Sequence, residues 1–286
     1  MSDEITAIVP PLALTPKAFG ITDRGKVRES NEDQFLIAEL SKAMRIWQTS
    51  LPEPKVQRGD ERAHLFLVAD GMGGHQAGER ASAIAVAAIE QFTLNTFRWF
   101  FAADHAGAQT VLSQFQTAVK DADARIAEEA AEHPELKGMG TTVTMAFHLG
   151  TQVCLVHAGD SRAYLHRAGQ LHQLTKDHTL VAELVRNGSV REEDVAKHPL
   201  RHVITNVVGG PDVGVKVEAS AFEVQAGDQM LLCSDGLSEM ITAEAIVGVL
   251  DAGGDPETMA KALLAQAMAG GGRDNITVLL IRFDPA

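Results

Sequence analysis

The sequence predicts an α+β fold built in layers, and three observations carry that prediction. Short strand-type runs dominate: in TTVTMAFHL, Val143, Met145, Phe147 and Leu149 alternate with Thr142, Thr144, Ala146 and His148, the period of a half-buried strand. Two long segments switch to helical spacing. Strands follow one another through tight turns, so the elements read as strand groups flanked by helix pairs rather than alternating βαβ units.

Taken in order, residues 1–17 hold three prolines and no periodicity, which predicts an extended lead-in. Strands are expected at 18–23 and 34–39. The polar, proline-bearing stretch 41–63 reads as a long variable loop, and HLFLVAD (64–70) as a buried strand. Over 77–97, Ala81, Ile84, Ala85, Ala88, Ile89 and Phe92 form one helical stripe; over 108–133, Val111, Leu112, Phe115, Val119, Ala122 and Ile126 form another. TQVCLVHAG and RAYLHRAGQLHQL are expected to pair as a hairpin whose turn carries Asp160. Short helical pieces and a loop fill 179–214. Strands at 215–224 and 229–234, helices at 243–251 and 256–269, and a last strand at 276–283 complete the chain. Without repeats or a break in composition, 18–284 is expected to be one domain.

With 25 basic and 38 acidic residues, the net charge of −13 argues against nucleic acid or an anionic membrane as partner. The longest apolar runs are strand-sized, and the N-terminus has no basic region followed by an apolar one, so a cytoplasmic, monomeric protein is expected. Cys154 and Cys233 lie in apolar runs without CxxC spacing and read as buried, inert thiols.

Four aspartates share one local setting, an apolar run followed by Asp and then Gly, Ser or Asn, or a glycine turn before such a run: LFLVADG (Asp70), CLVHAGDS (Asp160), MLLCSDG (Asp235) and GGGRDNITV (Asp274). A carboxylate at the tip of a buried strand is costly unless compensated. Oxygen-only donors select Mg²⁺ or Mn²⁺ over Zn²⁺ or Cu²⁺. RESNED adds Arg28, a fork suited to phosphate, beside Glu32 and Asp33. Gly73 to Gly78 has the spacing of a nucleotide-binding loop, but Glu79 stands where lysine is needed and would repel phosphate.

RxxNED, VADGMGGHxxGE, GTTVT, GDSRAYL, LTKDHT, LLCSDGL and GGRDNITV, in that order over about 18–283, resemble the metal-dependent Ser/Thr protein phosphatases of type 2C in their bacterial form. The resemblance implies a four-layer α-β-β-α sandwich, two central antiparallel β-sheets flanked by helix pairs, with the site at one end. It implies a hydrolase acting on phosphoserine and phosphothreonine through a hydroxide bridging two Mn²⁺ or Mg²⁺ ions, with a third, weaker metal. Asp70 would bridge the pair, Asp235 and Asp274 would complete the first site, and the Gly71 carbonyl would serve the second. Asp33 and Glu32 would act mostly through metal-bound water, and Asp160 with Asp235 would hold the third ion. Arg28 would bind the substrate phosphate and Asn275 would orient Asp274.

Met72 stands where the family's eukaryotic members carry a histidine, as it does in many bacterial ones; His75 or a metal-bound water is the candidate general acid. The segment 176–214 corresponds to a flap beside the cleft, where Arg186, Arg191, Lys197 and Arg201 are expected to receive a phosphorylated segment. Partners implied are phosphorylated proteins and an opposing bacterial Ser/Thr kinase, in signalling. A catalytically silent phosphoprotein-binding scaffold is the alternative, against which the intact set Asp70, Asp235 and Asp274 speaks.

Overall fold

The computed structural model describes residues 14–41, 62–74, 76–100, 107–210 and 214–286. Eleven strands and six α-helices are found among them. They are β1 (Leu14–Asp23), β2 (Asp33–Ser41), β3 (Arg62–Met72), α1 (Gln76–Phe100), α2 (Ala108–Glu132), β4 (Gly140–Thr141), β5 (Val143–Leu149), β6 (Gln152–Ala158), β7 (Arg162–Arg167), β8 (Gln170–Gln173), α3 (Leu180–Arg186), β9 (Glu218–Glu223), β10 (Gln229–Cys233), α4 (Asp235–Ser238), α5 (Ala243–Ala252), α6 (Pro256–Ala269) and β11 (Ile276–Pro285). One sheet runs β1-β11-β10-β7-β8; the other runs β2-β3-β5-β6-β9, with β4 on β3. The pairings are antiparallel.

Strand alternation builds the layers. Along β3, Leu65, Leu67 and Ala69 join Ala81, Ala85, Ile89, Phe115 and Ile126 of α1 and α2 in one apolar cluster. The intervening Phe66 and Val68 face the other sheet, against Met230, Leu232, Leu279, Ile281 and Phe283. The next register of that second sheet, Leu231, Cys233, Val278 and Leu280, packs on Ile246, Leu250, Met259 and Leu263 of α5 and α6. Three cores between four layers give the α-β-β-α sandwich, each buried Leu, Ile or Phe contributing about 1.5–3 kcal/mol of transfer free energy. Cys154 and Cys233, both buried and free, sit in different clusters on the two outward sheet faces.

Helix starts follow local chemistry. Asp255 Oδ1 accepts from the Thr258 N–H at 2.9 Å with Pro256 next in line, and Thr179 and Thr242 cap α3 and α5.

Three expectations change. The first strand begins at Leu14, so the lead-in ends earlier than residue 17; the hydrogen-bonded register with β11 runs from Leu14 opposite Pro285 to Asp23 opposite Ile276. The strand expected from 215 begins at Glu218. The expected hairpin around Asp160 does not form. β6 already has β5 on one edge and β9 on the other, so β7 has no edge to join and pairs with β10 instead. The Gly159-Asp160-Ser161 turn therefore carries the chain from one sheet to the other. Gly159 makes this possible at φ 117, where a Cβ would stand 2.5 Å from the Thr142 side chain. The loop expected over 41–63 falls mostly on 42–61, outside the described residues.

Candidate active site

Strand ends deliver carboxylates to one end of the sandwich. Asp33 opens β2 directly opposite Asp70 near the end of β3. β10 stops at Cys233 and Asp235 enters α4; Asp274 and Asn275 lead into β11; Asp160 lies in the crossing between sheets. Arg28, Glu32, Asp70, Gly71, Asp160, Asp235, Asp274 and Asn275 all line one open cleft of about 410 Å³. Asp33 is only 2 % exposed and is not among the residues lining the cleft. His75 lies outside the described residues.

Each carboxylate is held by its backbone or by hydroxyls. The Asp70 N–H donates to Thr142 Oγ1 at 3.0 Å, and its carbonyl accepts from the Thr141 hydroxyl and the Thr142 N–H, both at 2.9 Å. Asp33 Oδ2 accepts from Ser234 Oγ and Thr277 Oγ1, each at 2.7 Å, and Thr277 in turn meets Thr22 Oγ1 at 2.7 Å. These contacts tie the two sheets together through one buried carboxylate. Glu32 presses its carboxylate against Gly78, where a Cβ would stand 1.9 Å from Oε2, and its carbonyl accepts from Ser82 Oγ at 2.7 Å. Any side chain at Gly78 would displace Glu32.

Asn275 does more than the orienting of Asp274 that was expected. Its backbone N–H donates to Asp274 Oδ1 at 2.8 Å, while its side chain clasps the 24–32 loop. Nδ2 donates to the Arg24 and Ser30 carbonyls, and Oδ1 accepts from the Glu32 N–H. The side chain thus positions Glu32 and Arg28 rather than Asp274. Arg28 Nη2 contacts Asp274 Oδ2 at 2.6 Å, and this bond is the main reason its pKa rises.

The electrostatics are those of crowded, desolvated acids. Burial, followed by the charge of Asp33 and then Asp235, pushes Asp70 well above the usual carboxylate range. Burial and then Asp160 and Asp274 do the same to Asp235. Asp160 is raised to about 7 by burial and then by Asp177, and Asp33 to about 6 by burial, against the pull of the Thr277 and Ser234 hydroxyls. Asp33 Oδ1 is buried with no hydrogen-bond partner among the described residues.

A donor set of this kind fits hard divalent cations: all oxygen, anionic in excess, with one buried lone pair unspent. Among the described residues no three His, Cys, Asp or Glu side chains form a ready-made cage. Like charges repel closure of such a cage, and Arg28 draws Asp274 to itself.

The four basic residues expected to act together in the flap part company. Arg186 donates to the Asp177 carbonyl and Arg191 pairs with Glu193 and Asp194. Of the four, Arg201 lines the cleft, beside His202, whose Nδ1 reaches Glu239 Oε1 at 3.2 Å. Asp177 binds Arg162 through both oxygens and anchors the flap's start. His178 Nδ1 accepts from the Gly159 N–H at 3.0 Å, a structural role in the crossing.

Ser234, Thr277 and Thr22 were legible only weakly, as polar residues inside apolar strands. Arg273, which also lines the cleft, lies inside the GGRDNITV motif but was given no role there; Glu239 and His202, also in the lining, had no local motif to announce them.

The family described as Protein phosphatase 2C matches residues 54–266. The chain is 37 % identical over 261 residues to serine/threonine protein phosphatase PstP of Mycobacterium tuberculosis (strain ATCC 25618 / H37Rv), covering 91 % of this chain but 43 % of the relative. Against serine/threonine phosphatase stp of Listeria monocytogenes serovar 1/2a it is 33 % identical over 265 residues, covering 92 % of this chain and 94 % of the relative. A solved catalytic domain of PstP, in complex with 2 manganese ions, superposes with a TM-score of 0.73 at 34 % identity, covering 95 % of this chain and 99 % of that one.

Proposed function

Because this chain belongs to the protein phosphatase 2C family, we propose that it hydrolyses phosphoserine and phosphothreonine in proteins, using divalent cations held in the carboxylate cleft. The observation that carries this reading is the convergence of Asp70, Asp160, Asp235 and Asp274 on one cleft beside an arginine. Asp33, Asp70, Asp235, Asp274 and the Gly71 carbonyl would hold two Mn²⁺ or Mg²⁺ ions, and Asp160 with Asp235 a third. When bound, such ions lower the pKa of water and neutralise phosphoryl oxygens.

The chain's own residues do the rest. Arg28 leaves Asp274 and forks onto the substrate phosphate. Asn275 and Ser82 keep the loop that carries Arg28 and Glu32 in register with β3. The Ser234–Thr277–Thr22 hydroxyls fix Asp33 so that Oδ1 stays turned away from them. An opposing kinase belongs to the same reading.

Turnover of a phosphothreonine peptide with added Mn²⁺, abolished by a chelator and restored by excess metal, is the expected result. Phosphopeptide binding with no turnover at any Mn²⁺ concentration would overturn the proposal and leave a binding scaffold.

A further inference from the structure

Three arginines line the cleft, and they are not equivalent. Arg28 is committed to Asp274. Arg201 and Arg273 make no ion pair or side-chain hydrogen bond with any described residue, although acidic groups surround them.

Both belong to one wall. Arg201 adjoins His202, which contacts Glu239 at 3.2 Å. Met240 follows Glu239, and its sulfur lies beside Gly271; the Arg273 side chain folds over the same glycine, its Nε 3.4 Å from where a Cβ would be. His202 holds one Glu239 oxygen, and neither arginine forms an ion pair with that acid among the described residues. Leu200 and Val203, 43 % and 42 % exposed, flank Arg201 and His202 on the rim. A wall with two open guanidinium forks and an apolar rim suits a polypeptide bearing an anion, and arginine forks match carboxylate and phosphate alike. On a chain of net charge −13, a local cationic wall decides whether an acidic segment is tolerated.

We propose that Arg201 and Arg273 are specificity-determining residues that select phosphosites carrying a second anionic group, an acidic side chain or another phosphate, next to the phosphorylated residue. The inference rests on the phosphatase reading and names its substrate class.

The test uses the full chain with Mn²⁺ and three phosphothreonine peptides: one with neutral flanks, one with flanking aspartates, one with a neighbouring phosphoserine. The ratio of kcat/KM for each anionic peptide over the neutral one is the first readout, and the ratio of Kd values by fluorescence anisotropy is the second. Exposed charge pairs are individually weak, so each arginine is expected to supply about a threefold preference and the two together about tenfold. Arg201→Gln and Arg273→Gln each lower both ratios about threefold, the double variant brings them near one, and Arg201→Glu combined with Arg273→Gln inverts them. Raising salt shrinks the wild-type ratios, because exposed charges are screened. Preference for one anionic peptide over the other identifies the source of the anion. A wild-type ratio near one, or a preference that survives the double variant, overturns the proposal. If no peptide is hydrolysed yet the Kd ratios behave as described, the catalytic reading falls and the specificity assignment stands.

Discussion

The two ends of the sandwich bury titratable groups under the same desolvation and resolve it in opposite ways. At the cleft end, Asp33, Asp70, Asp160 and Asp235 crowd together and their pKa values rise. Six residues back along β3, about 20 Å away, His64 sits in register with His148 on β5. His148 is 1 % exposed, packs tilted against Phe283 at 5.1 Å between ring centroids, and makes no well-formed hydrogen bond among the described residues. Burial, then the neighbouring His64, lowers its pKa to about 4. Glu39 lies 3.6 Å from the other side of His64, and Arg62 opposes it. The histidines can satisfy burial by staying neutral, because they need no charge to pack. Asp33 meets two hydroxyls that favour its charged form, while Asp70 and Asp235 face burial and one another's charges, a repulsion that bound cations would relieve. Burial of ionisable groups therefore marks function at one end and packing at the other; the neighbours decide which.

The largest expected effect breaks the cleft end. Asp70→Asn should lower phosphopeptide turnover by roughly 10³-fold, since several kcal/mol of metal-borne charge stabilisation depend on its ligands. The same variant should raise the metal-free melting temperature by about 2–4 °C by removing one of several repelling charges. Calorimetry with chelator reads that rise; a fall would show that the crowded carboxylates do not strain the fold.

A smaller effect separates Asp33 from its supports. Ser234→Ala removes one hydroxyl from Oδ2 and should weaken Mn²⁺ binding about 10-fold, the scale of outer-shell contacts to metal ligands. Isothermal titration measures it. Unchanged affinity would mean that Asp33 serves the sheets alone.

The smallest effect at neutral pH lies at the far end. His148 protonates near its ordinary value of 6.5 when unfolded and near 4 when folded. Between those values the unfolded state binds the extra proton, so stability falls as pH drops, by about 1.4 kcal/mol per pH unit at most. His148→Leu removes this penalty. Urea melts at pH 7, 6 and 5 should show the variant gaining on the wild type as pH falls, with turnover at pH 7 preserved. A gap independent of pH would remove His148 from the acid response.

Sequence patterning made the layers and the cleft carboxylates legible, because the apolar runs of β3 and β11, the helical stripes and the Asp-Gly strand ends are local signals; the alternation at 142–149 misled, since β5, expected to be half-buried, is covered on both faces. The inter-sheet crossing at Asp160 was not, since a Gly-Asp-Ser turn serves a hairpin or a crossing equally well. Only the occupied edges of β6 decide between them. The dual use of Asn275, whose backbone holds Asp274 while its side chain holds the 24–32 loop, depends on partners more than 240 residues away. Arg201 was legible as a flap residue and Arg273 as part of GGRDNITV, but not that the fold brings them to one cleft beside the contact of His202 with Glu239.

Crystals grown with millimolar Mn²⁺ and measured at the manganese absorption edge put the central claim to its most direct trial. The account predicts at least two anomalous peaks among the oxygens of Asp70, Asp235 and Asp274, with Arg28 released from Asp274. Peaks elsewhere, or none in crystals of protein that hydrolyses a phosphopeptide in the same buffer, would contradict it.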